Sequence, residues 1–271
     1  MSHNITVEGG TSVRLPTAGK YCDRDIVVTA TGGKEDLDAV LTEQEELIAE
    51  LQAVLAEKAS GGGEVKPDPS KEYQRIAYIE STTSCRIDTD IFADNETGME
   101  LTAKYPALAD RVPMGSRLDG NATRYYAPYP LSANSFYYGF NAGVTKSTGA
   151  VANALYRSSL NFLNNRVATV KDEATNAMEF ADMLTSTLST QTAPIGIFCY
   201  LRVTNGATTL QSSRDMIFYG ARISQGREIV REYIPCYRKS DGEIGLYETF
   251  TGQFLTNKGS GTFMKGDDVE W

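Results

Sequence analysis

The sequence is poor in histidine and has no long apolar run. His3 is the only histidine among 271 residues, which excludes histidine-dependent catalytic triads and histidine-rich metal centres. No stretch approaches the roughly 20 consecutive apolar residues of a membrane-spanning helix, and the first four residues lack the basic and apolar regions of a signal peptide. We therefore expect a chain that folds in a cytoplasm without membrane insertion.

Cysteine is also scarce, and negative charges outnumber positive ones. The four cysteines, Cys22, Cys85, Cys199 and Cys236, form no C-x-x-C pair, so the spacing predicts buried free thiols rather than a zinc site. Lys and Arg number 26 against 35 Asp and Glu, a net charge of -9, and such a surface repels the phosphate backbone of nucleic acids. Nucleic acid is therefore not an expected partner.

Residues 1–33 predict a small N-terminal β module. Two β-like runs, Ile5–Leu15 and Asp25–Thr31, flank the turn-forming segment Pro16–Gly19. Fewer than about 40 residues rarely fold alone, so this module needs oligomerisation or docking on a larger assembly.

Residues 34–59 predict a short parallel trimeric coiled coil. The segment contains no Gly, Pro or aromatic residue, and a column formed by Val40, Leu47 and Val54 widens its apolar stripe beyond the narrow seam of a dimer. The alternative is one amphipathic helix packed on its own globular domain, against which the flanking glycine runs argue. The heptad seam consists of Leu37, Leu41, Gln44, Ile48, Leu51 and Leu55.

Residues 60–72 predict a Gly/Pro linker, and residues 73–271 predict a β-sandwich or jelly roll. About ten short β-rich runs alternate there with Gly, Asn, Asp and Ser clusters. The runs include Met99–Tyr105, Arg124–Tyr129, Phe136–Phe140 and Met216–Ile223. Lys171–Leu184 departs from this pattern, because its Glu, Ala and Met content gives it local helical character. The fold class expected for the whole chain is mainly β.

The residue types still allow an enzyme that uses a pair of carboxylates, such as a glycosidase. Ile87-Asp88-Thr89-Asp90 places two acids on one face of a strand, which suits general acid–base work or a calcium ion. The neighbouring Ala93–Glu96 is turn-like, which favours a solvated loop instead. We expect no catalytic residue and no cofactor.

Aromatic residues concentrate between Tyr125 and Asn141, with seven rings in 17 residues. Tyrosine offers an apolar face and a hydroxyl, a combination that suits stacking on sugar rings. Because side chains alternate along a strand, the sequence predicts one exposed and one buried set. The predicted ligand-binding set is Arg124, Tyr125, Tyr129, Asn134 and Tyr137. The alternative is that the rings only pack in the hydrophobic core, which is the role predicted for Tyr126, Phe136, Tyr138 and Phe140.

Two parts of the chain resemble phage proteins. Residues 15–30, LPTAGKYCDRDIVVTA, resemble an N-terminal cassette of tail and baseplate-associated proteins of phages and prophages of gut Firmicutes. Segments framing residues 73–265 are similar to the concanavalin A-like (laminin-G-like) domains attached to such proteins. These segments are Tyr78–Ser81, Ile87–Thr89, Phe218–Ile223 (FYGARI), Tyr233–Arg238 (YIPCYR) and Gly242–Tyr247 (GEIGLY).

The resemblance implies a lectin-type sandwich at the distal end of a homotrimeric tail fibre or receptor-binding protein. Such a protein is made in the bacterial cytoplasm, assembles into the virion, contacts other tail or baseplate proteins through its N-terminus and binds a host cell-surface glycan. Three weak sugar sites gain strength from avidity. Two alternatives remain: a purely structural baseplate or tail component, and a sandwich-fold glycan hydrolase.

Overall fold

The computed structural model of the protein describes residues 4–6, 12–14, 68–118, 123–161 and 167–271. By its contacts the chain divides into two units, Met1–Lys66 and Pro67–Trp271. In the first unit, β1 (Asn4–Thr6) pairs antiparallel with β2 (Ser12–Arg14). The predicted coiled coil of residues 34–59, its seam residues and most of the predicted linker lie outside the described residues, as does Cys22.

The second unit begins with one helical turn, Pro69–Glu72, in the last part of the predicted linker. The Asp68 side chain caps this turn by accepting a hydrogen bond from the Ser70 amide at 3.0 Å, and Pro69 at the first helical position fixes a suitable backbone angle. No helix in the described part of the chain is long and apolar enough to cross a membrane.

The remaining elements are strands, so the expectation of a mainly β protein is confirmed. In chain order they are β3 (Tyr73–Arg75), β4 (Ile79–Ser81), β5 (Ile87–Asp88), β6 (Thr97–Lys104), β7 (Met114–Arg117), β8 (Arg124–Ser132), β9 (Ser135–Lys146), β10 (Leu155–Asn161), β11 (Val167–Asp172), β12 (Met178–Met183), β13 (Gly196–Ile197), β14 (Cys199–Thr204), β15 (Ala207–Ser213), β16 (Met216–Gln225), β17 (Glu228–Arg238), β18 (Ile244–Glu248), β19 (Phe254–Thr256) and β20 (Phe263–Lys265).

The strands form two layers. The larger sheet has the order β12-β11-β10-β6-β16-β17-β18-β19, with β3 paired to β17, and β4 paired to β16 and β20. The smaller layer contains the sheet β15-β14-β7-β13-β5 and the hairpin β8-β9. All pairs are antiparallel except β7 with β14. The result is a sandwich-like arrangement, as the run of short strands predicted.

Alternation along the central strands defines an inner and an outer face of the larger sheet. On β6, Met99, Leu101 and Ala103 are buried, whereas Glu100 and Thr102 between them are half-buried. The buried side chains join one hydrophobic cluster between the layers. Full burial of a leucine such as Leu101 contributes about 1.5–3 kcal/mol. Glu100 and Thr102 are therefore held on the outer face by the packing of their neighbours.

The predicted helical character of Lys171–Leu184 is wrong. Residues Val167–Asp172 and Met178–Met183 form the antiparallel hairpin β11-β12 at the edge of the larger sheet. Val170 is buried and Phe180 packs against the core cluster. Burial of these side chains in the sandwich outweighs the weak helix propensity of the Glu, Ala and Met residues around them.

A buried cation fastens a loop to the interior. Arg214 is 1% exposed, and its guanidinium lies 4.4 Å from the centroid of the Tyr105 ring. Burial lowers its pKa from the ordinary value. Its Nη atoms donate at 2.6–3.2 Å to the backbone oxygens of Ala107, Ala109, Arg111 and Pro130. One side chain thus satisfies several carbonyl groups of the segment between β6 and β7.

Candidate functional site

The aromatic hairpin β8-β9 is mostly interior. Tyr125 is 0% and Tyr129 1% exposed. The Tyr125 hydroxyl donates to the backbone oxygen of Thr97 at 2.6 Å, and the Tyr129 hydroxyl donates to Asp110 Oδ1 at 2.6 Å. Burial raises the pKa of both phenols above the ordinary value. The expectation that these two tyrosines are exposed is therefore wrong.

The reason is that both faces of β8 are covered. Six consecutive residues from Tyr125 to Pro130 are buried, so the strand does not alternate between core and solvent. The Tyr125 hydroxyl reaches β6 in the larger sheet, whereas the Tyr126 ring packs against Tyr200 of β14 with centroids 4.9 Å apart. Tyr126, Phe136, Tyr138 and Phe140 are buried as well, which confirms the core interpretation of those four rings.

The other three predicted site residues do not form one face. Arg124 and Tyr137 are half-buried and adjacent, with Arg124 Nη1 donating to the Tyr137 hydroxyl at 2.8 Å. Asn134 is exposed in the turn between β8 and β9, whereas Arg124 begins β8 at its other end. A ligand-binding role for Arg124, Asn134 and Tyr137 stays a prediction.

A groove on the outer face of the larger sheet brings together chemistry that the sequence pattern did not reveal. We call it the outer groove; its volume is about 240 Å³. Its polar and aromatic lining comes from β3, β6, β10, β16 and β17, namely Arg75, Glu100, Thr102, Arg157, Tyr219, Arg222, Glu232 and Tyr233.

Strand register places these side chains. Glu100 of β6 stands opposite Arg222 of β16, and Arg222 stands opposite Glu232 of β17. One residue pair further along, Thr102 of β6 stands opposite Arg157 of β10. Side chains opposite each other on one face of an antiparallel pair lie about 4.5–5.5 Å apart at Cβ. Residues far apart in the sequence therefore form two neighbouring rows across four strands.

A bulge in β16 opens the floor of the groove. The register of β16 against β6 shifts between Phe218 and Gly220. Gly220 has φ +156, and an added Cβ would lie 3.4 Å from the backbone oxygen of Tyr233. Because glycine alone adopts this angle without strain and fills no space, the floor carries no side chain there. Tyr219 beside it lines the groove, with its ring centroid 5.6 Å from that of Tyr78.

Most charges in the outer groove already have partners. Arg222 Nη2 and Glu232 Oε1 are 2.7 Å apart, and Arg157 Nε and Glu173 Oε1 are 3.1 Å apart. Arg75 Nη1 donates to the backbone oxygen of Glu270 at 3.2 Å. Within residues 68–118, 123–161 and 167–271, the Glu100 carboxylate has no hydrogen bond or ion pair. The arginines are thus held in place while one acceptor group is left for a ligand.

A smaller cavity adjoins the outer groove. We call it the side cavity; its volume is about 60 Å³. It shares Glu100 and Arg222 with the outer groove. The rest of its lining consists of Met99, Ser159, Leu160, Ser224 and Ile229. The two openings therefore lie on either side of the Glu100–Arg222 pair.

The acidic pair Asp88 and Asp90 lies apart from the outer groove. Arg86 Nε and Asp88 Oδ1 are 2.5 Å apart, and Asp90 forms a short ion pair with Arg231. The arginine hydrogen bonds hold the pKa of Asp90 below its usual value. Among the described residues there is no group of three or more His, Cys, Asp or Glu side chains that could hold a metal. Cys85, Cys199 and Cys236 are buried free thiols, as predicted.

Comparison with known proteins identifies no family for the chain. No family model and no curated protein matches the chain. One solved structure, from Bacteroides ovatus ATCC 8483 and described as a "putative carbohydrate binding protein", is similar with a TM-score of 0.41 and 9% sequence identity. The match covers 73% of this chain, and the chain spans 62% of the length of that protein. The outer groove is therefore the feature from which a function can be inferred.

Proposed function

We propose that the second unit is a concanavalin A-like, saccharide-binding head and that the outer groove is its binding site. The observation that carries this proposal is the unpartnered Glu100 carboxylate in an open groove beside Tyr219 and three anchored arginines. A carboxylate accepts, and guanidinium groups donate, the hydrogen bonds that sugar hydroxyls need, while a tyrosine ring packs on the apolar face of a sugar.

The size of the groove fits weak binding at each site. Its volume of about 240 Å³ lies below the 300–1,000 Å³ of clefts that enclose drug-sized ligands. A shallow site of this kind needs several copies to give useful strength. We therefore propose that the chain is a homotrimeric phage tail fibre or receptor-binding protein, joined through residues 34–59, that attaches the virion to host cell-surface glycan.

We propose binding without catalysis and without a cofactor. Of the two acids in the groove, Glu232 is engaged by Arg222 and also accepts a hydrogen bond from Thr249 at 3.5 Å. A pair of acids that cleaves a glycosidic bond needs one carboxyl to donate a proton and the other to act as base or nucleophile. A held Glu232 is better suited to fixing the position of Arg222.

Glu100→Gln tests the site directly. This change keeps the shape of the side chain but removes the charge that accepts hydrogen bonds, which contribute about 1.5–3 kcal/mol when one partner is charged. On an array of bacterial glycans we expect the wild-type chain to bind, and Glu100→Gln to bind at least tenfold more weakly.

Glu80→Gln is the matched control. Glu80 is also a half-buried glutamate on the larger sheet, on β4, but it lies outside the outer groove. Equal loss of binding in both variants would contradict the assignment of the site. Absence of any glycan binding by the wild-type chain would favour the structural tail component, and release of reducing ends would favour a hydrolase.

The oligomer is tested separately. Light scattering on the full chain should give three times 29.6 kDa. A monomeric mass would remove the trimer from the proposal, while leaving the groove as a single site.

A further inference from the structure

We propose that the outer groove and the side cavity together recognise a sugar that carries an acetamido group, that is, an N-acetylated amino sugar. This inference rests on the proposed function, because it names the ligand class of the same site. The sugar ring lies in the outer groove, and its acetamido group enters the side cavity past Glu100 and Arg222.

The polar edge of the side cavity matches an amide. Glu100 accepts a hydrogen bond, so its carboxylate pairs with the amide N–H of the ligand. Arg222 uses Nε and Nη2 for Glu232, which leaves Nη1 to donate to the amide oxygen. Glu100 and Arg222 stand opposite each other on the neighbouring strands β6 and β16, so the acceptor and the donor can meet the two opposite edges of a trans amide that passes between them. A hydroxyl group can also donate and accept, but it does so from a single oxygen atom, whereas the amide carries its donor and its acceptor on two separate atoms.

The apolar lining of the side cavity, Met99, Leu160 and Ile229, matches a methyl group. Its volume of about 60 Å³ admits a small substituent but not a second sugar ring, and Ile229 forms part of its wall on β17. Ser159 on the wall is engaged, since its hydroxyl lies 2.7 Å from that of Thr169. An apolar group in this cavity therefore increases the binding affinity more than a hydroxyl does, because burying one methyl-sized group raises the affinity about fourfold.

Other substituents match only part of the site. A free amino sugar offers a cation to Glu100 but leaves the cavity beside Ile229 unfilled. A plain hydroxyl sugar can bond to both side chains only through one oxygen atom, and it offers no methyl group to fill the cavity. Comparing the N-acetylated, amino and plain forms of the same sugar therefore separates the contributions of the charge, the amide and the methyl group to binding.

The test is an NMR titration of the full chain with N-acetylglucosamine, glucosamine and glucose, and with the corresponding galacto and manno series. In at least one series we expect the N-acetyl sugar to bind at least about fourfold more tightly than both relatives. Equal or tighter binding of the plain or amino sugars would overturn the inference and leave saccharide binding at the groove intact. Failure of every sugar here and on the glycan array would overturn both.

Ile229→Ala should reduce the N-acetyl preference towards a ratio of one while weak binding of the plain sugar persists. Ile217→Ala is the matched control, because Ile217 is another half-buried isoleucine, on β16, and lies outside both openings. Ile229→Val, a milder change, should lower the ratio in the same direction if the alanine variant does not fold. An unchanged ratio in a folded Ile229 variant would overturn the placement of the methyl group.

Discussion

In the β8-β9 hairpin the hydroxyls of Tyr125 and Tyr129 have partners within the protein, whereas in the outer groove the Glu100 carboxylate has none among the described residues. Tyr125 and Tyr129 are bonded to Thr97 and Asp110 at 2.6 Å. Both regions are rich in the residue types that bind sugars. The bonding state of a polar group, rather than its type, therefore separates a packing role from a recognition role.

The largest expected effect lies in the interior. Arg214→Met should lower the free energy of unfolding by at least about 3 kcal/mol, because the buried Pro130 carbonyl and three part-buried carbonyls lose a charged donor, and a buried group left unsatisfied costs about 1–3 kcal/mol. Urea denaturation measures this. Arg157→Met, on an exposed arginine of the outer groove, should change stability by no more than about 0.5 kcal/mol. Similar losses in the two variants would break the distinction between the regions.

A smaller loss is expected for the hairpin hydroxyl. Tyr125→Phe removes the bond to the Thr97 carbonyl and should cost about 1–3 kcal/mol, without any change in glycan binding. Tyr219→Phe, whose hydroxyl makes no hydrogen bond to the described residues, should leave the free energy of unfolding unchanged. Weaker glycan binding by a folded Tyr125→Phe variant would return the hairpin to consideration as the site.

The strands of the larger sheet were predictable because their alternation is strong. The predicted run Met99–Tyr105 became β6, Thr97–Lys104, and Met216–Ile223 became β16, Met216–Gln225. The burial of the hairpin was not predictable from one strand, because it depends on contacts of β8 with β6 and with β14, which lie far from it in the sequence. Alternation assumes that one face meets solvent, and Tyr125 to Pro130 violate that assumption.

The outer groove was missed for a different reason. Glu100, Arg157, Arg222 and Glu232 come together only through the register of four strands, which no local pattern determines. One local signal was present: Gly220 interrupts an otherwise strand-like run, and an isolated glycine in a strand indicates a bulge. A bulge re-aims neighbouring side chains, so FYGAR could have been marked as a candidate site.

Alkaline pH should weaken the interior. Burial raises the pKa of Cys236 to about 12 and raises the pKa of Tyr125 and Tyr129 as well. An unfolded thiol titrates near 8.5, so the stabilising contribution of Cys236 is complete below that pH and is lost as the pH rises towards 12. Urea denaturation between pH 7 and 11 should show a falling free energy of unfolding above about pH 8.5. Cys236→Ala should make the fall shallower, and a flat profile would contradict the buried thiol and phenols.

The smallest effect on stability is expected at Tyr137, which belongs to the β8-β9 hairpin but is only partly covered. Tyr137 is half-buried, and its hydroxyl accepts a hydrogen bond from Arg124 at 2.8 Å. Tyr137→Phe should cost about 1 kcal/mol or less, because the partly exposed Arg124 donor can bond to water instead. If the outer groove is the site, glycan binding stays unchanged in this variant and falls in Glu100→Gln. Reduced glycan binding of Tyr137→Phe with normal stability would place recognition at Arg124 and Tyr137, and the groove charges would then serve only to pair strands across the sheet face.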